Sequence, residues 1–159
     1  MKSEKGLTFL GTIILVVIIA LIAFGVVYFT RMEVSKEKAE DIKTNMLLVQ
    51  AKVKKISGDY TLEKNEEVLI GTKLSEMKEE EPIKEFLEKE LFDLDEKGKK
   101  YYVLNQQNLN DLNLGNVILE ENSYYIVEYT SSEVYYTKGY SDENGEAHYK
   151  VTEQKAETE

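Results

Sequence analysis

Cysteine and tryptophan are absent from the chain, and proline and histidine occur once each, as Pro82 and His148. Without cysteine there is no disulfide, no thiolate metal ligand and no cysteine nucleophile. One histidine cannot build a site of several imidazoles, and no serine or carboxylate near it in sequence completes a triad pattern, so His148 reads as a surface residue. Asp142 and Asn144 have part of a calcium-loop spacing but lack its later ligands. No phosphate-cradling glycine loop, zinc-binding H-E-x-x-H helix or G-x-S-x-G elbow occurs. No enzyme, cofactor or metal is therefore expected. Bases are the minority charge, with 20 Lys and Arg against 30 Asp and Glu and a formal net charge of −10. Such a chain is repelled by phosphate backbones and anionic lipid surfaces, which argues against nucleic acid as a partner.

The charge that is present is unevenly placed. Residues 7–30, LTFLGTIILVVIIALIAFGVVYFT, carry none, and the whole acid excess lies after Thr30. A helix rises ~1.5 Å per residue, so this run reaches ~36 Å and can cross a hydrocarbon core of ~30 Å with some tilt. In lipid the run must be helical despite its β-branched content, because each backbone N–H and C=O has to be paired internally. Tyr28 and Phe29 then sit at an interface and Arg31 acts as a polar stop. Three readings compete: a retained anchor, a buried core helix, and a secretory signal cleaved at Ala23-Phe24-Gly25. The length and the apolar continuation after Gly25 favour the anchor. Lys2 and Lys5 precede the run, whereas Arg31, Lys36, Lys38 and Lys43 follow it among acids, so charge counting leaves the orientation open.

Ala39, Ile42, Met46, Val49, Val53 and Ile56 recur at steps of three and four, one apolar stripe on a helix over residues 32–56. Ser57-Gly58-Asp59 reads as its end, with Gly58 as a left-handed cap. Uninterrupted by proline, residues 7–56 could form a single helix of ~75 Å. The stripe fits a short coiled-coil seam and equally the face that packs on a sheet. Fewer than three heptads, with ~100 residues still to fold, favour the sheet.

Beyond it, Val68-Leu69-Ile70-Gly71 is a short apolar run with a breaker. Pro82 suits a helix first turn, with Ile83, Phe86, Leu87 and Leu91 as a buried stripe and Gly98 as the stop. The acids of Glu79-Glu80-Glu81 read as a solvated face. A strand is expected at 101–104 and a short helix within 105–114, closing at Gly115. Strands at 124–129, 134–137 and 147–151, joined by Ser131-Ser132 and by Asp142-Glu143-Asn144-Gly145, make an antiparallel meander. Seven of the eleven tyrosines lie between Tyr124 and Tyr149. Tyr124, Tyr129, Tyr135 and Tyr136 are candidates for a partner surface, although tyrosine is also an ordinary strand residue with one wet edge.

The amino-terminal residues resemble the start of a type IV prepilin or type II secretion pseudopilin. The short basic leader MKSEKG ends in Gly6, and Leu7-Thr8-Phe9-Leu10 is similar to that family's helix opening. The resemblance implies cleavage after Gly6 by a prepilin peptidase and methylation of the new amino terminus on Leu7. The segment 133–139 loosely resembles the terminal hairpins of pilin-like proteins from Gram-positive bacteria. Most members carry glutamate at the fifth mature position, where this chain has Gly11, and the resemblance then implies a minor rather than a main subunit. A plain signal anchor with glycine at its edge is the other reading of the same residues.

The expected architecture is α+β. A leader at 1–6 and a transmembrane helix at 7–30 lead into an amphipathic continuation at 31–57. An acidic head with a carboxy-terminal meander follows at 58–152, and a polar tail at 153–159. The expected function is structural: a bacterial, single-pass membrane protein with an extracytoplasmic head, a subunit of a type IV pilus or type II-secretion-type filament. Its partners would be membrane lipid, other pilin-like subunits and the peptidase. Gly11, Ala20, Ala23 and Gly25 are the small residues that would let helices approach closely in lipid. The alternative is a membrane-anchored extracytoplasmic binding or scaffold module that does not polymerise.

Overall fold

The computed structural model describes residues 4–92, 94, 97–142 and 144–151, with the side chains of 1–12, 15 and 24–34 outside that description. The chain divides into two units, Met1–Lys38 and Ala39–Glu159, and is α+β, with a long helix and a five-stranded antiparallel sheet.

The first unit is the amino-terminal part of helix α1 (Glu4–Glu63). Ile13, Ile14, Val16, Val17, Ile18, Ile19, Leu21 and Ile22 are all exposed there. Consecutive positions on a 3.6-residue period point to every side of a helix, so this stretch is apolar all round rather than along one stripe. Among the described residues, no helix is long and apolar enough to cross a membrane. The uncharged run 7–30 reaches beyond these side chains in both directions, into positions outside the described ones.

The second unit holds the rest of α1, β1 (Thr72–Lys73), α2 (Leu74–Met77), α3 (Glu81–Leu87), β2 (Tyr101–Leu104), α4 (Gln106–Asp111), β3 (Tyr125–Glu128), β4 (Glu133–Ser141) and β5 (Ala147–Lys150). The strands stand in the sheet in chain order, each antiparallel to the next, as a meander requires. Registers such as Tyr102↔Val127 and Ile126↔Tyr135 fix which side chains share a face. One face carries Tyr102, Leu104, Tyr125, Val127, Tyr129, Val134 and Tyr136, packed with Ala39, Met46, Val49 and Val53 of α1 and Leu109 of α4. The stripe therefore packs on the chain's own sheet. The opposite face carries Val103, Ile126 and Tyr135 and is covered by Leu74, Ile83 and Phe86. Both faces are buried, so β3 reads as buried throughout instead of alternating.

Several expectations are corrected. Gly58 is not a left-handed cap: α1 continues to Glu63, and the turn out of it is at Lys64, with φ 53°. The boundary expected at 57–58 thus falls inside the helix. Ser57 is buried against the sheet, so tertiary packing holds the helix past its glycine. Helix α3 does begin with Pro82 in its first turn but ends at Leu87, and Leu91, expected in the buried stripe, is 43% exposed. Glu90, with φ 51°, turns the chain away before another helical turn can form. Strand β4 runs four residues further than expected, and β1 is an edge strand of two residues too short for a periodic signal.

Two glycines are required by close approach. At Gly71, φ is +108° and a Cβ would stand 2.6 Å from the Val103 carbonyl oxygen across the β1–β2 pair. At Gly139, φ is +66° and a Cβ would stand 2.7 Å from the His148 carbonyl oxygen. The β4–β5 register shifts between Tyr135 and Tyr140, where Gly139 lies, as in a β-bulge.

Candidate functional site

Two regions are built from the most distinctive side chains: the amino-terminal part of α1, which carries the expected processing and packing residues, and the junction where α1 grips the sheet. In the first, Gly6, Leu7, Gly11, Ala20, Ala23 and Gly25 all belong to the helical backbone. Ala20 and Ala23 are exposed. They are three residues apart, hence neighbours on the helix surface. The side chain of Leu7, and what surrounds Gly6, Gly11 and Gly25, lie outside the described residues. So do residues 152–159, which include the whole of the expected tail at 153–159.

The junction is built on the β3–β4 turn. Glu128, the last residue of β3, is fully buried. Its Oε1 accepts from the backbone N–H of Lys100 at 2.8 Å and of Thr130 at 2.9 Å, and from the Thr130 hydroxyl. Its Oε2 accepts from the N–H and the hydroxyl of Ser131, each at 2.6 Å, and lies 3.8 Å from Lys99 Nζ. Burial pushes this carboxyl's pKa up. The hydrogen bonds from Lys100, Ser131 and Thr130 outweigh it and hold the pKa at about 2. The group is therefore an anion at neutral pH, its oxygens taken up by the N–H of Lys100 and by donors of the turn. It fixes the chain where the hairpin reverses, with Ser132 left-handed at φ 60°.

Helix α1 is fastened to this turn by polar side chains. Ser57 Oγ donates to the Tyr129 carbonyl, Ser132 Oγ donates to Ser57 Oγ at 3.1 Å, and Gln50 Nε2 donates to the Ser132 carbonyl at 3.2 Å. Among the described residues no buried side-chain nitrogen or oxygen lacks a partner. This junction was not expected. The visible signal is a glutamate near the end of an apolar strand with Thr130-Ser131-Ser132 two residues on, hydroxyls of which Thr130 and Ser131 serve it.

The four tyrosines proposed as a partner surface are not one surface. Tyr129, Tyr135 and Tyr136 are 1%, 4% and 3% exposed. Tyr129 and Tyr136 lie on the α1 face, and Tyr135 with the half-buried Tyr124 on the other. Their hydroxyls are engaged within the fold: Tyr129 donates to the Ile70 carbonyl at 2.8 Å, Tyr135 to Glu133 at 2.9 Å, Tyr136 to Ser123 at 3.3 Å and Tyr124 to Glu80 at 3.3 Å. Burial pushes the phenol pKa of Tyr129 and of Tyr135 upward. These rings are core with a satisfied polar tip.

The Asn144-Gly145 turn is observed. Gly145 has φ +82°, and Asp142 Oδ1 accepts from the N–H of Asn144 at 2.8 Å and of Glu146 at 2.9 Å. Asp142 and Asn144 thus act as turn residues. No protein-family model, curated protein or solved structure matches this chain.

Proposed function

We propose that the chain is a pilin-like structural subunit, of the minor kind, in a type IV pilus or type II-secretion-type filament. One observation carries the reading: a single helix supplies both a segment that is apolar on all sides and the buried stripe on which an antiparallel sheet folds. Exposed aliphatic surface on every side of a helix is unfavourable in water by about 25 cal/mol per Å². That cost is removed by lipid before assembly and by neighbouring copies of the same helix after it. Residues 7–30 hold the subunit in the membrane, and cleavage after Gly6 frees Leu7. Apolar helices then pack laterally, Gly11, Ala20, Ala23 and Gly25 allowing close approach, and the acidic head faces outward from the cell membrane. Membrane lipid, other pilin-like subunits and a prepilin peptidase are the partners in this reading.

Gly11 in place of glutamate is the observation that favours the second reading, an anchored binding or scaffold module that never polymerises. A carboxylate at that position would pair with an amine in lipid and guide docking, and glycine cannot. Gly6→Trp separates the readings, since a peptidase that needs a small residue at the cut cannot process it. The variant is expected to migrate as the full-length precursor beside a shorter wild-type protein. Equal mobility of the two would count against the pilin-like reading.

A further inference from the structure

The β4–β5 hairpin sets three metal-ligating side chains on one face. Tyr140 pairs with His148, and the Asp142 N–H donates to the Glu146 carbonyl at 2.9 Å, so the two strands run opposite each other through the turn. The strand period of two then directs Tyr140, Asp142, Glu146 and His148 to the same side. His148 Nε2 lies 3.1 Å from Asp142 Oδ2, and one ligand atom from each of Asp142, Glu146 and His148 stands within 4.8 Å of the others.

Two of the three side chains are pre-oriented. Asp142 Oδ1 is held by the N–H groups of Asn144 and Glu146, which leaves Oδ2 turned toward the imidazole. The imidazole itself is stacked on Tyr140, with ring centroids 5.6 Å apart and 27° between planes. Partners that fix a carboxylate and a ring in this way are what orient metal ligands in general. We propose that Asp142, Glu146 and His148 bind a divalent transition-metal ion of the zinc class.

The donor chemistry selects the class. One imidazole nitrogen with two carboxylate oxygens suits zinc-like ions, whereas calcium asks for six to eight oxygens. Ligand atoms at ~2.0–2.2 Å from a tetrahedral zinc stand ~3.3–3.6 Å apart, so the Asp142–His148 pair is already near its bound spacing. The exposed Glu146 side chain has to swing inward by roughly 1 Å to join it. The ion takes the place of the Asp142–His148 hydrogen bond, and a fourth position stays open to water or to a ligand from a second molecule. Lys43 Nζ stands 5.2 Å from the centre of the Tyr140 ring on which the imidazole stacks. The inference does not rest on the pilin-like reading.

Its test uses the full chain in detergent micelles, prepared without a polyhistidine tag and titrated with zinc chloride alone. Because His148 is the only histidine, the imidazole nitrogen resonances report one residue. One equivalent of zinc is expected to shift them. Affinity is expected to fall at least about tenfold in Glu146→Gln, a change at an exposed side chain, and the site to be lost in His148→Gln. Calcium at the same concentration should leave the resonances in place. Unmoved resonances with zinc, an equal response to calcium, or Glu146→Gln binding as the wild type would each overturn the proposal. Should His148→Gln disturb the hairpin, Glu146→Gln alone decides.

Discussion

Glu128→Gln is expected to destabilise the folded head by about 3 kcal/mol at neutral pH. It should also remove this carboxylate's share of the head's stability gradient between roughly pH 5 and pH 2, leaving that of Glu66, Glu133 and Asp142, whose pKa values are also lowered. The native carboxyl titrates at about 2, whereas an unfolded glutamate titrates at ~4.3. A folded pKa below the unfolded one means that the unfolded chain takes up the proton first. The contribution is therefore complete above the unfolded value and is lost as pH falls toward the folded one. A difference of just over two units corresponds to about 3 kcal/mol. Glutamine keeps the volume but brings an amide nitrogen against N–H and hydroxyl donors from Lys100, Thr130 and Ser131, leaving some without an acceptor. Thermal unfolding of the full chain in detergent should show a midpoint lower by on the order of 10 °C. A variant whose midpoint and acid dependence match the wild type would mean that these hydrogen bonds are not formed as described.

The second large effect concerns the α1 stripe. Val49 is fully buried between α1 and the sheet, and Leu47, two residues earlier on the same helix, is 51% exposed. Val49→Asp places an unpaired carboxylate among aliphatic side chains and is expected to cost at least about 4 kcal/mol, enough to unfold much of the head. Leu47→Asp should change stability by no more than about 0.5 kcal/mol. The contrast is read by limited proteolysis or by the amide spectrum of the sheet. Were the stripe instead a seam between copies, Val49→Asp would abolish association and leave the isolated head folded.

How much of this was legible in the sequence depended on how local the cause was. The stripe from Ala39 to Ile56, Pro82 in the first turn of α3 and the Asn144-Gly145 turn are written within a few residues and stand where the pattern puts them, and the short helix expected within 105–114 is present as α4, ending at Asp111 rather than running to Gly115. The end of α1 was not local. Gly58 argues for a stop, but Ser57 and Gln50 fasten the helix to the β3–β4 turn more than seventy residues away, and that packing overrides the glycine. Leu91 failed for a related reason. Its spacing continues the α3 stripe, yet the chain turns at Glu90 before the stripe can use it. The tyrosines misled because exposed and buried rings look alike in a strand pattern. Only the helices covering both faces of the sheet decide between them. Glu128 stayed hidden among thirty acids, since what sets it apart is the set of donors that folding brings to it.

The pilin-like proposal stands on residues 7–30 remaining with the chain after a cut at Gly6. Mass spectrometry of the amino-terminal peptide from the native, membrane-extracted protein measures that directly. The expected result is a peptide that begins at Leu7 and carries one methyl group on its amine. A peptide beginning at Met1, or a soluble protein beginning near Val26, would contradict it.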